Sequence, residues 1–131
     1  MLTIETIETK SASDLNKRAH VLTKATLRTA DALALKNTEL AKIIGVSAPT
    51  VTRLRNQGHL LSPTDKSFEL AALLVRLYRG LSPILGGDDL AARSWLRSEN
   101  IALNGRPIDL ITSVSGLTDT LRYVDARRAA I

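Results

Sequence analysis

Cysteine is absent from the 131 residues, so neither a disulfide framework nor a thiolate metal site can form. The only two histidines, His20 and His59, lie far apart without a nearby serine and carboxylate pattern, which leaves neither a histidine-built zinc site nor a catalytic triad. A glycine-rich phosphate loop is also missing; the run Gly86, Gly87, Asp88, Asp89 reads as a helix stop followed by an N-cap. No cofactor and no enzymatic activity are therefore expected. Glycine and proline number only 7 and 4, and with 44% hydrophobic residues this describes an ordered globular chain. The most apolar run, Leu70 to Leu77, contains Arg76 and falls well short of the roughly 20 residues needed to cross a bilayer. The opening MLTIETIETK has neither the basic region nor the long apolar core of a signal peptide, so a cytoplasmic location without membrane attachment is expected.

What charge there is lies unevenly. Residues 1–60 hold nine Lys or Arg against five Asp or Glu, whereas residues 61–131 hold nine against eight. An N-terminal basic excess suits a polyanionic partner, and a surface tuned for solubility accounts for it equally well. The expected fold is all-α in two parts: a module over 1–60, with residues 1–13 as an arm, and a second helical module over 61–131.

Helical spacing begins near Asp14, with Leu15, Ala19, Leu22, Ala25 or Thr26, and then Leu33 following a rhythm of threes and fours, and predicts a long helix ending near Lys36. Leu60 to Pro63 form a connector. Lys66 to Arg79 reads as a strongly apolar helix stopped by Gly80, after which Ser82 and Pro83 open a short turn. Asp88 is a suitable N-cap for a helix to about Ser98, with Leu90, Ala91, Trp95 and Leu96 inward. Asn104 and Gly105 signal a turn, Pro107 opens a short helix through Ile111, and Gly116 precedes a last helix carrying Leu117, Leu121 and Val124.

The most informative segment is NTELAKIIGVSAPTVTRLRN, from Asn37 to Asn56. Thr38 is suited to cap a short helix whose inner face holds Leu40, Ala41 and Ile44, and it counts among the candidate DNA-binding residues. Ala41 is small where a second helix must cross, and Gly45 stands where a positive φ is wanted. Val46 plugs the turn, Ser47 caps the next helix, and Val51 and Leu54 hold it to the first. Outward remain Ser47, Ala48, Pro49, Thr52 and Arg53, with Arg55 and Asn56 beyond. These groups suit a major groove. Arg53 offers two donors to a guanine, Thr52 and Ser47 can bond base or phosphate, Ala48 and Pro49 can meet a thymine methyl, and Arg55 can grip phosphate. An ordinary helical hairpin with the same residues in water is the plainer alternative.

This segment resembles the helix-turn-helix of phage-repressor-like (Xre-type) regulators. The resemblance implies a second helix lying in the major groove of double-stranded operator DNA. It also implies a homodimer reading half-sites one helical turn, on the order of 34 Å, apart.

The second half carries its own pattern: AARSWL from Ala91 to Leu96, NIALNGRPIDL from Asn100 to Leu110, then Gly116 and a closing helix with Leu121, Tyr123 and Val124. From about Phe68 onward this is similar to the toxin-binding domain of Xre/MbcA/ParS antitoxins. Their pattern has a Trp-Leu pair, an Asn, a Gly-Arg turn and a glycine-led last helix; here Pro107 follows Arg106 directly, where many members have one more residue. The resemblance implies a type II antitoxin, not an enzyme, that neutralises a cognate RES-domain toxin, one that consumes NAD or transfers ADP-ribose from it, by covering its active site. It also implies repression of the antitoxin's own operon, and a homodimer inside a larger hetero-oligomer. On this chain it points to the last helix and tail, Leu121, Tyr123, Arg127, Arg128 and Ile131, and to Asn104 and Arg106 in the turn. Arg127 and Arg128 can engage acidic or polar groups bidentately, or simply favour a helix C-terminus. A free-standing transcriptional regulator, whose second half dimerises or binds a small ligand, is the alternative.

Overall fold

The structure is a computed structural model that describes residues 3–130, and every described helix is α-helical in an all-α arrangement without strands among those residues. The first helix, α1 (Ile4–Ala32), starts much earlier than its apolar spacing suggested. Thr3 caps it by accepting from the Thr6 backbone N–H at 3.2 Å, and no glycine or proline interrupts it. The expected N-terminal arm is therefore itself helical. Residues 3–18 of it are exposed throughout, and burial begins only at Ala19. The helix ends at Ala32 rather than near Lys36, because Ala34 turns left-handed (φ 52°) and the Leu35 N–H closes onto Ala30 O at 2.8 Å.

Two short helices follow, α2 (Asn37–Ile44) and α3 (Ala48–Arg55), then α4 (Lys66–Ile84), which is the spine of the molecule. It packs on α1, on α2, on α5 (Asp89–Arg97) and, most extensively, on α7 (Val114–Ala129), with the single turn α6 (Pro107–Leu110) bridging α5 and α7. Its apolar residues on several faces explain this: Ala71, Leu74, Leu77 and Leu81 are buried in a core that runs unbroken from Leu33, Leu40 and Leu54 to Leu96, Ile111 and Leu117. The Leu60 to Pro63 connector divides the sequence but not the packing. It is pinned where the buried Thr23 hydroxyl accepts the Leu61 N–H at 3.0 Å.

Two glycines act differently from their sequence reading. Gly80 does not stop α4, which continues through Pro83 to Ile84. Its role is close approach: a Cβ there would stand 3.1 Å from Val124 Cγ1 on α7. Gly116 lies inside α7, whose cap is Ser113, and a Cβ on it would collide with the Leu110 carbonyl group. In α5 the Asp88 cap is as expected, accepting from Leu90 N and Ala91 N at 3.0 and 3.3 Å. Leu90, expected inward, is exposed, and Ala92 takes the buried place with Leu96, because the core-facing line of α5 runs through residues 92 and 96.

Candidate functional site

The turn between α2 and α3 is built as its sequence indicates. Gly45 adopts φ 74°, Gly45 N and Val46 N both donate to Ala41 O at 2.9 and 3.0 Å, and Val46 is half-buried over the core. Ser47 caps α3, its Oγ accepting the Thr50 N–H at 3.2 Å. Val51 and Leu54 are buried against Leu40 and Ile44, which fixes the rotation of α3 and decides which side chains face outward. Those are Ser47, Pro49, Thr52, Arg53 and Asn56, all exposed, with Ala48 half-buried. Thr50, not singled out by sequence, joins them: its Oγ1 lies 2.8 Å from Ser47 Oγ and accepts from Arg53 Nη2 at 3.0 Å. Its position three residues from both partners was the available signal.

Two assignments change. Thr38 is not the cap of α2. It sits exposed within the helix, while Glu39 accepts the Lys36 N–H at 2.8 Å and does the capping. Arg55 is turned inward: its Nε donates to Asn37 Oδ1 at 2.7 Å and its Nη1 to Asp31 Oδ1 at 3.0 Å. Its guanidinium thus ties the end of α3 to the α1–α2 turn, where a phosphate grip would need it outward.

The second half presents a different surface. Residues 100–105 form a tight loop closed by paired Asn100 and Gly105 backbone hydrogen bonds at 2.9 and 3.2 Å, with Asn104 left-handed (φ 60°). The Asn100 side chain braces it by accepting the Leu103 N–H at 3.1 Å. At its tip Ile101 is 99% exposed, a bare apolar side chain on a rigid loop that sequence reading passed over. Arg106 follows, held to Asp109 by two hydrogen bonds at 2.9 and 3.2 Å. On α7 Leu121 is buried with Leu117 and Val124, so it is core and not contact; Tyr123 is half-buried against the same core. Arg127 and Arg128 are exposed in the last turn, and among the described residues neither has an acidic partner. Ile131 lies outside the described residues. Among them, too, no group of three His, Asp or Glu is placed to hold a metal ion, and no helix is long and apolar enough to cross a membrane.

The two surfaces are joined by arginines of α5. Arg97 donates to Glu39 Oε2 and Oε1, both at 2.9 Å, and to Ala34 O at 3.1 Å; Arg93 donates to Ala32 O at 2.8 Å. The Arg97 hydrogen bonds to its carboxylate, opposed by some burial and helped by the Lys36 N–H, hold the Glu39 carboxyl down to about 2 from an ordinary 4.5.

A helix-turn-helix with its second helix presented outward, backed by a helical module with its own exposed loop and basic tail, defines a DNA-binding interaction protein. Residues 17–76 match the antitoxin Xre-like helix-turn-helix domain, and residues 81–129 match the antitoxin Xre/MbcA/ParS C-terminal toxin-binding domain. The chain belongs to the Xre/MbcA/ParS-type antitoxins: it is a type II antitoxin with a DNA-binding half and a toxin-binding half. The two matched regions meet on α4, at 76 and 81, and not at the 60/61 connector; the second starts beyond Phe68. No curated protein matches the sequence.

Proposed function

We propose that the chain neutralises a RES-domain toxin that consumes NAD or transfers ADP-ribose from it, and represses its own operon as a dimer bound to operator DNA. It acts by occupying surfaces, in the cytoplasm, and performs no catalysis. The observation that carries this reading is the pair of exposed ends, one in each matched domain: the outward face of α3, and the last turn of α7 with Arg127 and Arg128.

On α3, Arg53 with Thr52 and Thr50 reads base edges, and Ser47, Pro49 and Asn56 meet backbone or methyl groups. On the toxin side, Arg127 and Arg128 enter the active-site cleft and engage polar or acidic groups there. Ile101, Asn104 and Arg106 form the flanking contact, and Tyr123 supports the helix from below. Co-expression with a RES-domain enzyme tests the toxin half. Cellular NAD is expected to stay at the level of cells without toxin, and depletion despite soluble antitoxin overturns it.

A further inference from the structure

The stripe of α1 that faces the core does not stop where the core stops. Leu22, Thr26, Thr29 and Leu33 follow the spacing four, three, four, and all are packed on the body of the molecule. Continued toward the N-terminus, the same three-four-four rhythm gives Arg18, Leu15, Ser11, Ile7 and Ile4. At 100° per residue these positions share one face of a straight helix. Yet Ile4 is 75% exposed, Ile7 53% and Leu15 39%, on a rod reaching about 22 Å beyond Ala19 at 1.5 Å per residue.

A groove lies at the other end of that stripe. Val21, Leu22 and Ala25 of α1 and Phe68 and Val75 of α4 line it, and Lys17, Arg18 and Arg79 border it. It is apolar with a basic rim, and Val21 in it is 64% exposed. The arm has the complementary character: residues 3–9 hold Glu5 and Glu8 beside Ile4 and Ile7, with no Lys or Arg, whereas residues 17–28 hold Lys17, Arg18, Lys24 and Arg28 with no Asp or Glu. The arm cannot fill its own groove, because arm and groove wall belong to one uninterrupted helix.

We infer that a second copy of this chain occupies the groove: two α1 helices pair antiparallel, each laying its N-terminal arm on the other's α1–α4 groove. Centring the pair near Ser13 brings Ile4 of one copy to Leu22 of the other and Glu8 to Arg18. Ser11, the small residue on this stripe, then stands beside the crossing, where backbones approach. The arrangement is two-fold symmetric, so both arms bind at once and no surface is left open for further addition. It supplies the interface for the dimer proposed above and rests on that dimer, but needs neither DNA nor toxin.

Sedimentation or light scattering of the full chain alone, at tens of micromolar, tests it. The wild type is expected to be dimeric, and I4D/I7D monomeric with an unchanged fold by circular dichroism, since both side chains are exposed and lie outside the buried core. E5K/E8K and K17E/R18E are each expected to weaken self-association, and an equimolar mixture of the two to restore dimers, because both interfaces of the mixed pair are again complementary. A dimer that survives I4D/I7D overturns the interface while leaving dimerisation standing. A monomeric wild type overturns both, and leaves the DNA and toxin assignments to their own tests. Restoration only upon adding toxin shows the arm to be a toxin contact and equally overturns the pairing.

Discussion

Glu39, in the first turn of α2, and Arg97, in the last turn of α5, form a two-pronged ion pair with both oxygen–nitrogen distances at 2.9 Å, linking the DNA-binding half to the toxin-binding half. The same carboxylate accepts the Lys36 N–H, so one side chain both caps α2 and receives the second domain.

The pair makes stability depend on pH. Glu39 titrates at about 2 in the folded chain and at 4.5 when free. A depressed carboxyl contributes fully above its unfolded value, and its contribution is lost as pH falls from 4.5 toward 2. Both side chains retain some contact with water, so the contribution is about 1–2 kcal/mol after screening. Urea unfolding at pH 6 and pH 3 is expected to show a larger loss for wild type than for Glu39→Gln. Equal losses would mean that the pair stabilises nothing.

Gly116→Ala is expected to destabilise the chain although alanine is the better helix former. The propensity gain is about 1 kcal/mol, but the added methyl meets the Leu110 carbonyl, a backbone group that cannot swing aside. Overpacking of this kind costs on the order of 1–3 kcal/mol, so the clash wins. Thermal unfolding should show a lowered midpoint. A raised one would show that α6 can shift, and that the glycine is dispensable.

Local chemistry was the legible part of the sequence. Gly45, Ser47 and Asp88 each do near-neighbour work that residue type and spacing reveal, and Val51 and Leu54 fix one helix face by being three apart. What escaped depends on distant partners. Gly80 looks like a stop until Val124 is seen beside it, and Arg55 looks like a phosphate ligand until Asp31 and Asn37 close on it. The helical arm escaped for another reason: its apolar positions are interleaved with Thr, Ser and Glu, and they stay exposed among the described residues. Leu121 is legible as core from sequence alone, since its spacing from Leu117 and Val124 places it on the buried face.

Arg53→Ala is expected to relax sequence preference at one base pair of the operator, by about 1–3 kcal/mol, without unfolding α3. The side chain is exposed, and among the described residues it bonds only Thr50. Arg55→Ala should behave differently, lowering thermal stability through loss of the α1–α2 tie before any effect on DNA is read. Binding titrations on operator and scrambled duplexes check both. Indifference of the wild type to sequence would remove specific readout from α3 altogether.

Removing residues 126–131 is expected to weaken toxin neutralisation while leaving operator binding near wild type. The cut falls after Asp125, so the Arg76–Asp125 ion pair at 2.8 Å and the buried Leu117, Leu121 and Val124 all survive. Only exposed residues of the described chain are lost, Arg128 with its side chain in water among them. Charge reversal, R127E/R128E, separates the guanidinium groups from the helix that carries them: it keeps the length of α7 and inverts the charge offered to the toxin. NAD consumption by a co-expressed RES-domain enzyme is expected to rise with both variants, and a mobility shift on the operator to remain. Full protection by the truncated chain would take the tail out of the inhibitory surface and leave the Ile101 loop as the remaining contact to test.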